Sequence, residues 1–255
     1  MKPISTKDLQ LYEPHKDKEL SNGGPLMPIV DHLNELRNKI LISLFALIVS
    51  SVIGFAFSRD IISLLIKIAP AGTTFIQIKP GEFFFTSFRV SLYCGLVIAL
   101  PLIFWQLAGF VIPGLTDKEK KISIPIVSAS PILFVFGSLF AYRFVAPSMI
   151  KFLFGFGKDV ISMSISIEHF VSFTLMIMAI CGFAFLLPVV LIVLANIGVV
   201  DSKILSHKWR EAVLISVILG AILTPTPDPF NMGLVSGILI VLYVLSCGIL
   251  KILHK

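Results

Sequence analysis

The sequence predicts an all-α integral membrane protein whose six transmembrane helices form one membrane domain. Of its 255 residues, 56% are hydrophobic and only 14% are charged. A single soluble core cannot bury that much apolar surface, so lipid must solvate most of it. A helix needs roughly 20 apolar residues to cross a bilayer. Six apolar stretches are candidates for such helices, although the last two are short. They cover residues 39–57, 88–111, 124–145, 170–196, 211–224 and 233–250.

The chain before the first span is polar and mixed in charge. It lacks the apolar segment of a secretory signal, so we predict that residues 1–27 are a disordered cytosolic tail and that residues 28–255 are the membrane domain. Of the 21 Lys and Arg residues, 14 lie in the tail and first-helix start, the second and fourth gaps and the C-terminus, and the other 7 lie in or beside the first and third gaps. Because such residues stay preferentially on the cytoplasmic side, both termini are predicted to be cytosolic or stromal.

The fifth and sixth predicted spans are short. The span at residues 211–224 covers only about 21 Å at ~1.5 Å per residue. The span at residues 233–250 is also shorter than each of the first four spans. The hydrocarbon core is roughly 30 Å thick. We therefore expect a locally thinned membrane beside these two helices.

Several function classes have little support. The net charge of +6 comes from scattered residues rather than from one basic helix face, so nucleic-acid binding is not indicated. No hydrolase motif, phosphate-binding loop or redox cysteine pair is found, and the sequence predicts neither an enzyme nor a cofactor. His32 and Glu35 have metal-ligand spacing, but without a second such pair a solvated helix start is the better interpretation.

Two rival functions need features that the sequence lacks. A small-molecule channel or transporter needs facing polar residues at mid-membrane, and the span centres are mostly apolar. A membrane-embedded transferase needs a set of His or Asp residues at one interface. Only scattered histidines are available, at His15, His32, His169, His207 and His254.

Carboxylates stand at the predicted cytoplasmic ends of the first three helices. Glu35 and Arg37 precede the first span, and Asp117 and Glu119 lie between the second and third. Two carboxylates held at an interface could bind a pair of arginines through bidentate hydrogen bonds. Ordinary local pairing, such as Glu35 with Lys39 at i,i+4, is the alternative, and composition alone favours it.

Several segments together resemble the TatC family. His32 to Arg37, HLNELR, resembles the family's first-helix signature, and FVIPGLTDKEKK at 110–121 resembles its first cytoplasmic loop. PGEFFF at 80–85, FAY at 140–142 with Pro147, and LTPTPDPF at 223–230 are also similar. The resemblance begins near residue 28, reaches the C-terminus, and is greatest to cyanobacterial and plastid members.

This resemblance implies a glove-shaped six-helix bundle in a bacterial plasma membrane or a thylakoid membrane. It implies a non-enzymatic subunit of the twin-arginine translocase that binds twin-arginine signal peptides and nucleates the complex that exports folded proteins. The partners it implies are those signal peptides, small single-span subunits of the TatA and TatB type, and further copies of the chain itself through self-association. Gly233 and Gly237 form a GxxxG pair for which subunit contact and internal packing both remain open.

The resemblance also assigns site residues. Glu35 and Glu119 match the two acids that engage the arginine pair. Their matched neighbours in that signal-peptide site are Arg37, Phe110, Pro113, Gly114 and Leu115. Tyr142 and Asp228 match polar positions associated with helix packing and assembly.

One position departs from the family pattern. Leu186 stands where the fourth helix of the family often has Glu or Gln, a group associated with partner contact. The wholly apolar Phe185 to Pro188 segment puts the contact at mid-membrane in doubt, although it leaves the cytosolic site unaffected.

Overall fold

The structure of the protein is a computed structural model that describes residues 29–111, 115–155, 164–198, 207–224 and 228–253. The predicted tail lies outside these ranges. In chain order the elements are α1 (Ile29–Ala56), α2 (Ser58–Ile66), β1 (Thr74–Ile76), α3 (Glu82–Val111), α4 (Asp117–Phe140), α5 (Ala146–Gly155), β2 (Ser164–Ser166), α6 (Ile167–Ala184), α7 (Leu187–Asn196), α8 (Trp209–Leu223) and α9 (Pro229–Leu253).

The predicted class, a helical membrane protein, is confirmed. Within the described ranges, five helical segments are long and apolar enough to cross a bilayer, and they overlap the first four predicted spans and the sixth. They are Leu33–Ala56, Glu82–Phe110, Glu119–Gly155, Ile167–Asn196 and Pro229–Lys251. The helix at the fifth predicted span, α8, has 15 residues. At about 22 Å it is shorter than a hydrocarbon core, as the sequence predicts.

The prediction of a short sixth helix is wrong. The α9 helix has 25 residues and is about 37 Å long. It begins earlier than expected because Asp228 Oδ1 accepts the Asn231 N–H at 2.8 Å and so caps the first turn. Pro229 then occupies the first helical position, where its missing N–H costs nothing. Of the two helices that the sequence predicts to be short, only α8 is short in the structure.

The third and fourth predicted spans differ from simple rods. A π-helical turn, Ala141–Val145, joins α4 to α5, so that helical structure continues ten residues past the predicted end at 145. The fourth span is broken between α6 and α7, where the Leu186 N–H bonds to the Phe183 carbonyl at 3.0 Å. Pro188, which lies in the first turn of α7, explains this break, because it has no N–H to donate to the carbonyl of Ala184 four residues earlier and its ring crowds that carbonyl.

A small parallel sheet joins the second and fourth long segments, and the sequence analysis did not predict it. Residues 74–76 of β1 pair with residues 164–166 of β2. Glu82, only 2% exposed, lies beside this sheet. Its carboxylate accepts the Ile78 N–H at 2.7 Å, the Glu168 N–H at 3.2 Å and the Ser166 hydroxyl. A buried carboxylate with this many donors ties the start of α3 to the start of α6.

The α1 and α3 helices pack antiparallel at close range. Gly95 of α3 makes the approach possible, because a Cβ there would lie 2.1 Å from Ser51 Oγ of α1. The largest buried cluster lies elsewhere and includes residues of α2, α3, α5, α6 and α9. The bundle is therefore densely packed at the end that holds α2 and the sheet, whereas the opposite end of α1 packs mainly on α3.

Candidate functional site

Glu35 lies near the start of α1, at the end of the helix remote from the sheet. Its Oε1 is 2.5 Å from Lys39 Nζ, one turn further along the same face. The Glu35 side chain is 30% exposed and that of Lys39 is 17% exposed. The Lys39 ammonium also lies over α3, where a Cβ at Gly109 would be 3.1 Å from Nζ. The carboxylate is thus held half-buried at the interface between α1 and α3.

An apolar groove begins at this ion pair and runs along the α1 and α3 helices. Its volume is about 320 Å³, and its walls are almost wholly apolar apart from Lys39, Ser43 and Gln106. The Ser43 hydroxyl is satisfied within its helix by the Lys39 carbonyl, at 2.9 Å. The remaining lining residues are Leu36, Ile40, Leu44, Leu47, Ile103, Leu107 and Phe110. A groove with the Glu35–Lys39 ion pair at one end and apolar walls along its length suits a ligand that combines cationic and hydrophobic segments.

Glu119 lies in the first turn of α4 and caps the helix. Its Oε2 accepts the Thr116 N–H at 2.8 Å, and the two residues form a reciprocal capping box. Asp117, in the same turn, lies 3.5 Å from the Lys120 ammonium. Within the part of the chain that the structure describes, Glu119 Oε1 has no hydrogen bond or ion pair, so this oxygen can accept a further donor without loss of the cap.

The structure brings some of the predicted site residues together. Phe110 lines the groove beside Lys39, and Leu115 is buried just ahead of α4. Arg37 is exposed. It stands two residues from Glu35, a spacing that turns side chains to different helix faces. The role of Arg37 stays a prediction, and Pro113 and Gly114 lie outside the described residues.

The three residues associated with assembly lie away from this groove. The Tyr142 hydroxyl donates to the Leu64 carbonyl of α2 at 3.1 Å, so it links the π-helical turn to α2. Asp228 caps α9. Leu186 is 8% exposed and packs among buried residues that include Leu100 and Phe134. At mid-membrane the Leu186 side chain thus fills a helix interface.

The GxxxG pair faces outward. A Cβ at Gly233 or Gly237 would meet no atom within 4 Å, so the pair has no part in packing among the described residues. Gly220 of α8 instead meets Ser236 of α9, where a Cβ would lie 2.1 Å from Ser236 Oγ. Internal packing therefore does not explain the GxxxG pair.

Sequence reasoning missed two features of the polar chemistry. Gln106 lines the groove opposite Lys39, yet a lone glutamine in an apolar stretch gives no signal of its own. The Glu82 network was also missed, although the residue lies within the PGEFFF segment. Its partners are more than 80 residues away, so no local pattern identifies them. Across the described ranges, no group of His, Cys, Asp and Glu is arranged to hold a metal ion.

Comparison with known proteins places this architecture in a family. The model of the family described as Sec-independent protein translocase protein (TatC) matches residues 31–237. The Sec-independent protein translocase protein TatC of Synechocystis is 39% identical over 230 residues, which are 90% of this chain and 90% of that protein. The chloroplastic TATC protein of Oryza sativa is 36% identical and aligns with 93% of this chain and 67% of its own length.

Solved structures agree with this result. A crystal structure of the twin arginine translocase receptor TatC has a TM-score of 0.76 and 33% identity, with 88% of this chain and 100% of that chain covered. A second, in the detergent DDM, has a TM-score of 0.77 with 86% of this chain covered. The helices, their order and the sequence agree over most of the chain, and the protein therefore belongs to the TatC family of Sec-independent protein translocase proteins.

Proposed function

We propose that this protein is the receptor subunit of a twin-arginine translocase, and that Glu35 and Glu119 bind the arginine pair of the signal peptide. The observation that carries the proposal is the half-buried Glu35 carboxylate, whose ion-pair partner Lys39 lines the apolar groove between α1 and α3. An arginine at this end of the groove would replace the Lys39 ammonium as the partner of Glu35. The apolar segment of the peptide would then continue along the groove.

The second carboxylate suits the same ligand. Glu119 uses one oxygen for the α4 cap, and its other oxygen can accept a guanidinium N–H. Hydrogen bonds to charged groups contribute about 1.5–3 kcal/mol each. Arginine presents several donors in a fixed plane, whereas lysine is a point charge, so two carboxylates would prefer an Arg-Arg pair to Lys-Lys. Neighbours such as Phe110 and Leu115 would shape the apolar side of this site.

Partner subunits are part of the proposal. The α8 helix packs mainly on α9 and is too short to match a bilayer, so this wall is suited to local membrane thinning. The outward Gly233 and Gly237 pair gives a transmembrane helix a close approach to α9. We propose that single-span subunits of the TatA and TatB type use this wall. The similarity to cyanobacterial and chloroplast relatives supports a thylakoid or plasma membrane location.

Replacement of Glu119 by Gln tests the receptor assignment. The amide oxygen can still accept the Thr116 N–H, so the α4 cap survives while the negative charge is lost. We expect about 10- to 100-fold weaker binding of a twin-arginine peptide, with little change in thermal stability. Glu119→Ala, which also loses the cap, is the matched control and should be less stable. Unchanged peptide affinity in Glu119→Gln would overturn the role of this residue.

Photocrosslinking tests the groove without altering the carboxylates. A photoreactive residue at Gln106, in the groove wall, should crosslink to a twin-arginine signal peptide and much less to its Lys-Lys variant. The same probe at Trp105, which is 72% exposed and outside the groove, is the control. Equal crosslinking from both positions, or to both peptides, would contradict binding in the groove.

A further inference from the structure

A second groove lies at the other end of α1, where α1 ends, α2 begins and α3 makes its first turns. Its volume is about 490 Å³. Unlike the groove at Glu35, it has substantial polar as well as apolar walls. The lining residues are Phe55, Ala56, Ser58, Arg59, Phe83, Phe84 and Ser87.

Arg59 supplies the charge in this groove. Its side chain is exposed, and it forms no ion pair or hydrogen bond with any residue of the described ranges. The two serine hydroxyls are already used, because Ser58 donates to the Phe55 carbonyl at 2.8 Å and Ser87 donates to the Phe83 carbonyl at 2.9 Å. The guanidinium is therefore the polar group in the lining that remains available for a ligand.

The apolar part of the groove is aromatic. Phe55 and Phe84 meet edge to face with their ring centroids 6.2 Å apart. Both side chains are substantially exposed, at 43% and 59%. An exposed aromatic pair beside an unpaired cation forms a surface that is apolar on one side and positive on the other.

The position of the groove indicates what can occupy it. From Glu35 to Ala56, α1 is about 32 Å long, close to the roughly 30 Å thickness of a hydrocarbon core. With the Glu35 carboxylate at one interface, Arg59 lies at the headgroup level of the opposite leaflet. The groove is thus placed where lipid headgroups meet acyl chains, and its charge is complementary to an anionic headgroup.

We propose that this groove binds an anionic lipid of the leaflet opposite Glu35. The Arg59 guanidinium pairs with the phosphate or sulfonate of the headgroup, and Phe55, Phe83 and Phe84 pack on the first carbons of its acyl chains. Because Arg59 is the free polar group, the groove selects for negative charge rather than for one headgroup. Phosphatidylglycerol and phosphatidylserine should bind alike, and phosphatidylcholine should not compete.

Native mass spectrometry of the purified full-length chain tests the proposal. The protein is delipidated and offered phosphatidylglycerol, phosphatidylserine or phosphatidylcholine, one at a time. We expect the wild type to retain either anionic lipid about fivefold more than phosphatidylcholine, the effect of about one arginine at a membrane surface. Arg59→Gln should abolish this preference. Arg143→Gln is the matched control, because Arg143 is also exposed but does not line the groove.

Each other outcome overturns a stated part of the proposal. Equal retention of anionic and neutral lipids by the wild type would exclude an anionic lipid site. A preference that survives in Arg59→Gln, with thermal stability unchanged, would place the lipid elsewhere. Displacement of the lipid by soluble glycerol phosphate at equal concentration would point to a free anion as the ligand. Arg59-dependent capture of an acidic membrane protein, with no retained lipid, would make the groove a protein interface.

Discussion

Lys39 Nζ lies 2.5 Å from Glu35 Oε1, so the carboxylate proposed to bind an arginine already has an internal cation beside it. Both side chains come from α1, one turn apart, and the lysine is the more buried of the two. A signal-peptide arginine must therefore compete with Lys39. This pairing makes Lys39 a determinant of affinity in the proposed receptor site.

Replacement of Lys39 by Gln should strengthen peptide binding. The variant removes the competing ammonium and one positive charge that repels the arginine pair. Because a partly exposed pair of this kind contributes at most about 1 kcal/mol, we expect about two- to fivefold tighter binding of a twin-arginine peptide, measured by fluorescence titration. Lys39→Arg, which keeps the charge, should show no gain. Weaker binding in Lys39→Gln would mean that the lysine orients Glu35 for the ligand.

Replacement of Gly95 by Ala should separate α1 from α3. The new Cβ would lie 2.1 Å from Ser51 Oγ and 2.6 Å from the Ser51 backbone, so the helices must move apart. Overpacking of this kind costs about 1–3 kcal/mol, and the thermal midpoint in detergent should fall. Gly248→Ala is the control, because a Cβ there meets no atom within 4 Å. A fall of equal size in both variants would show that helix contact is not the cause.

Replacement of Leu186 by Gln should destabilise the protein. Leu186 is buried and packs against Leu100 and Phe134, where an amide would find no partner among the apolar side chains. The expected loss is about 1–3 kcal/mol, measured by thermal unfolding in detergent. Leu186→Met, which conserves volume and polarity, should cost less. A stable Leu186→Gln protein would show that this position can turn towards a partner.

Two replacements of Asp228 separate its cap from its charge. Asp228→Ala loses the acceptor for the Asn231 N–H and should destabilise α9 by about 0.5–2 kcal/mol. Asp228→Asn keeps an acceptor for the Asn231 N–H. The Asn231 side-chain amide, which donates to Asp228 Oδ2 at 2.8 Å in the wild type, can flip to accept from the new amide, so this variant should unfold near the wild-type temperature. If the negative charge also serves assembly, Asp228→Asn will be stable but will co-purify less single-span subunit. Normal co-purification would confine Asp228 to helix capping.

Local features of the structure could be predicted from the sequence. The apolar stretches indicated where the long helices lie, since lipid exposure requires continuous hydrophobicity. The i,i+4 spacing of Glu35 and Lys39 predicts their ion pair as the local alternative to ligand binding, because it puts both side chains on one helix face. The length of α9 was underestimated because polar residues of its first turn look like loop, whereas Asp228 and Pro229 start the helix there.

The membrane class, the long helices and the two candidate carboxylates can be identified from the amino-acid sequence, because each depends on hydrophobicity or charge over a few neighbouring residues. The packing of the folded bundle determines which sides of those helices are buried. In the folded chain the Leu186 side chain is buried and Gly233 faces outward. A hydrogen bond joins Ser166 to the Glu82 carboxylate. Those outcomes depend on contacts between residues far apart in the chain. Nearly uniform apolar helices carry no periodic pattern that distinguishes a lipid-facing side from a helix-facing one.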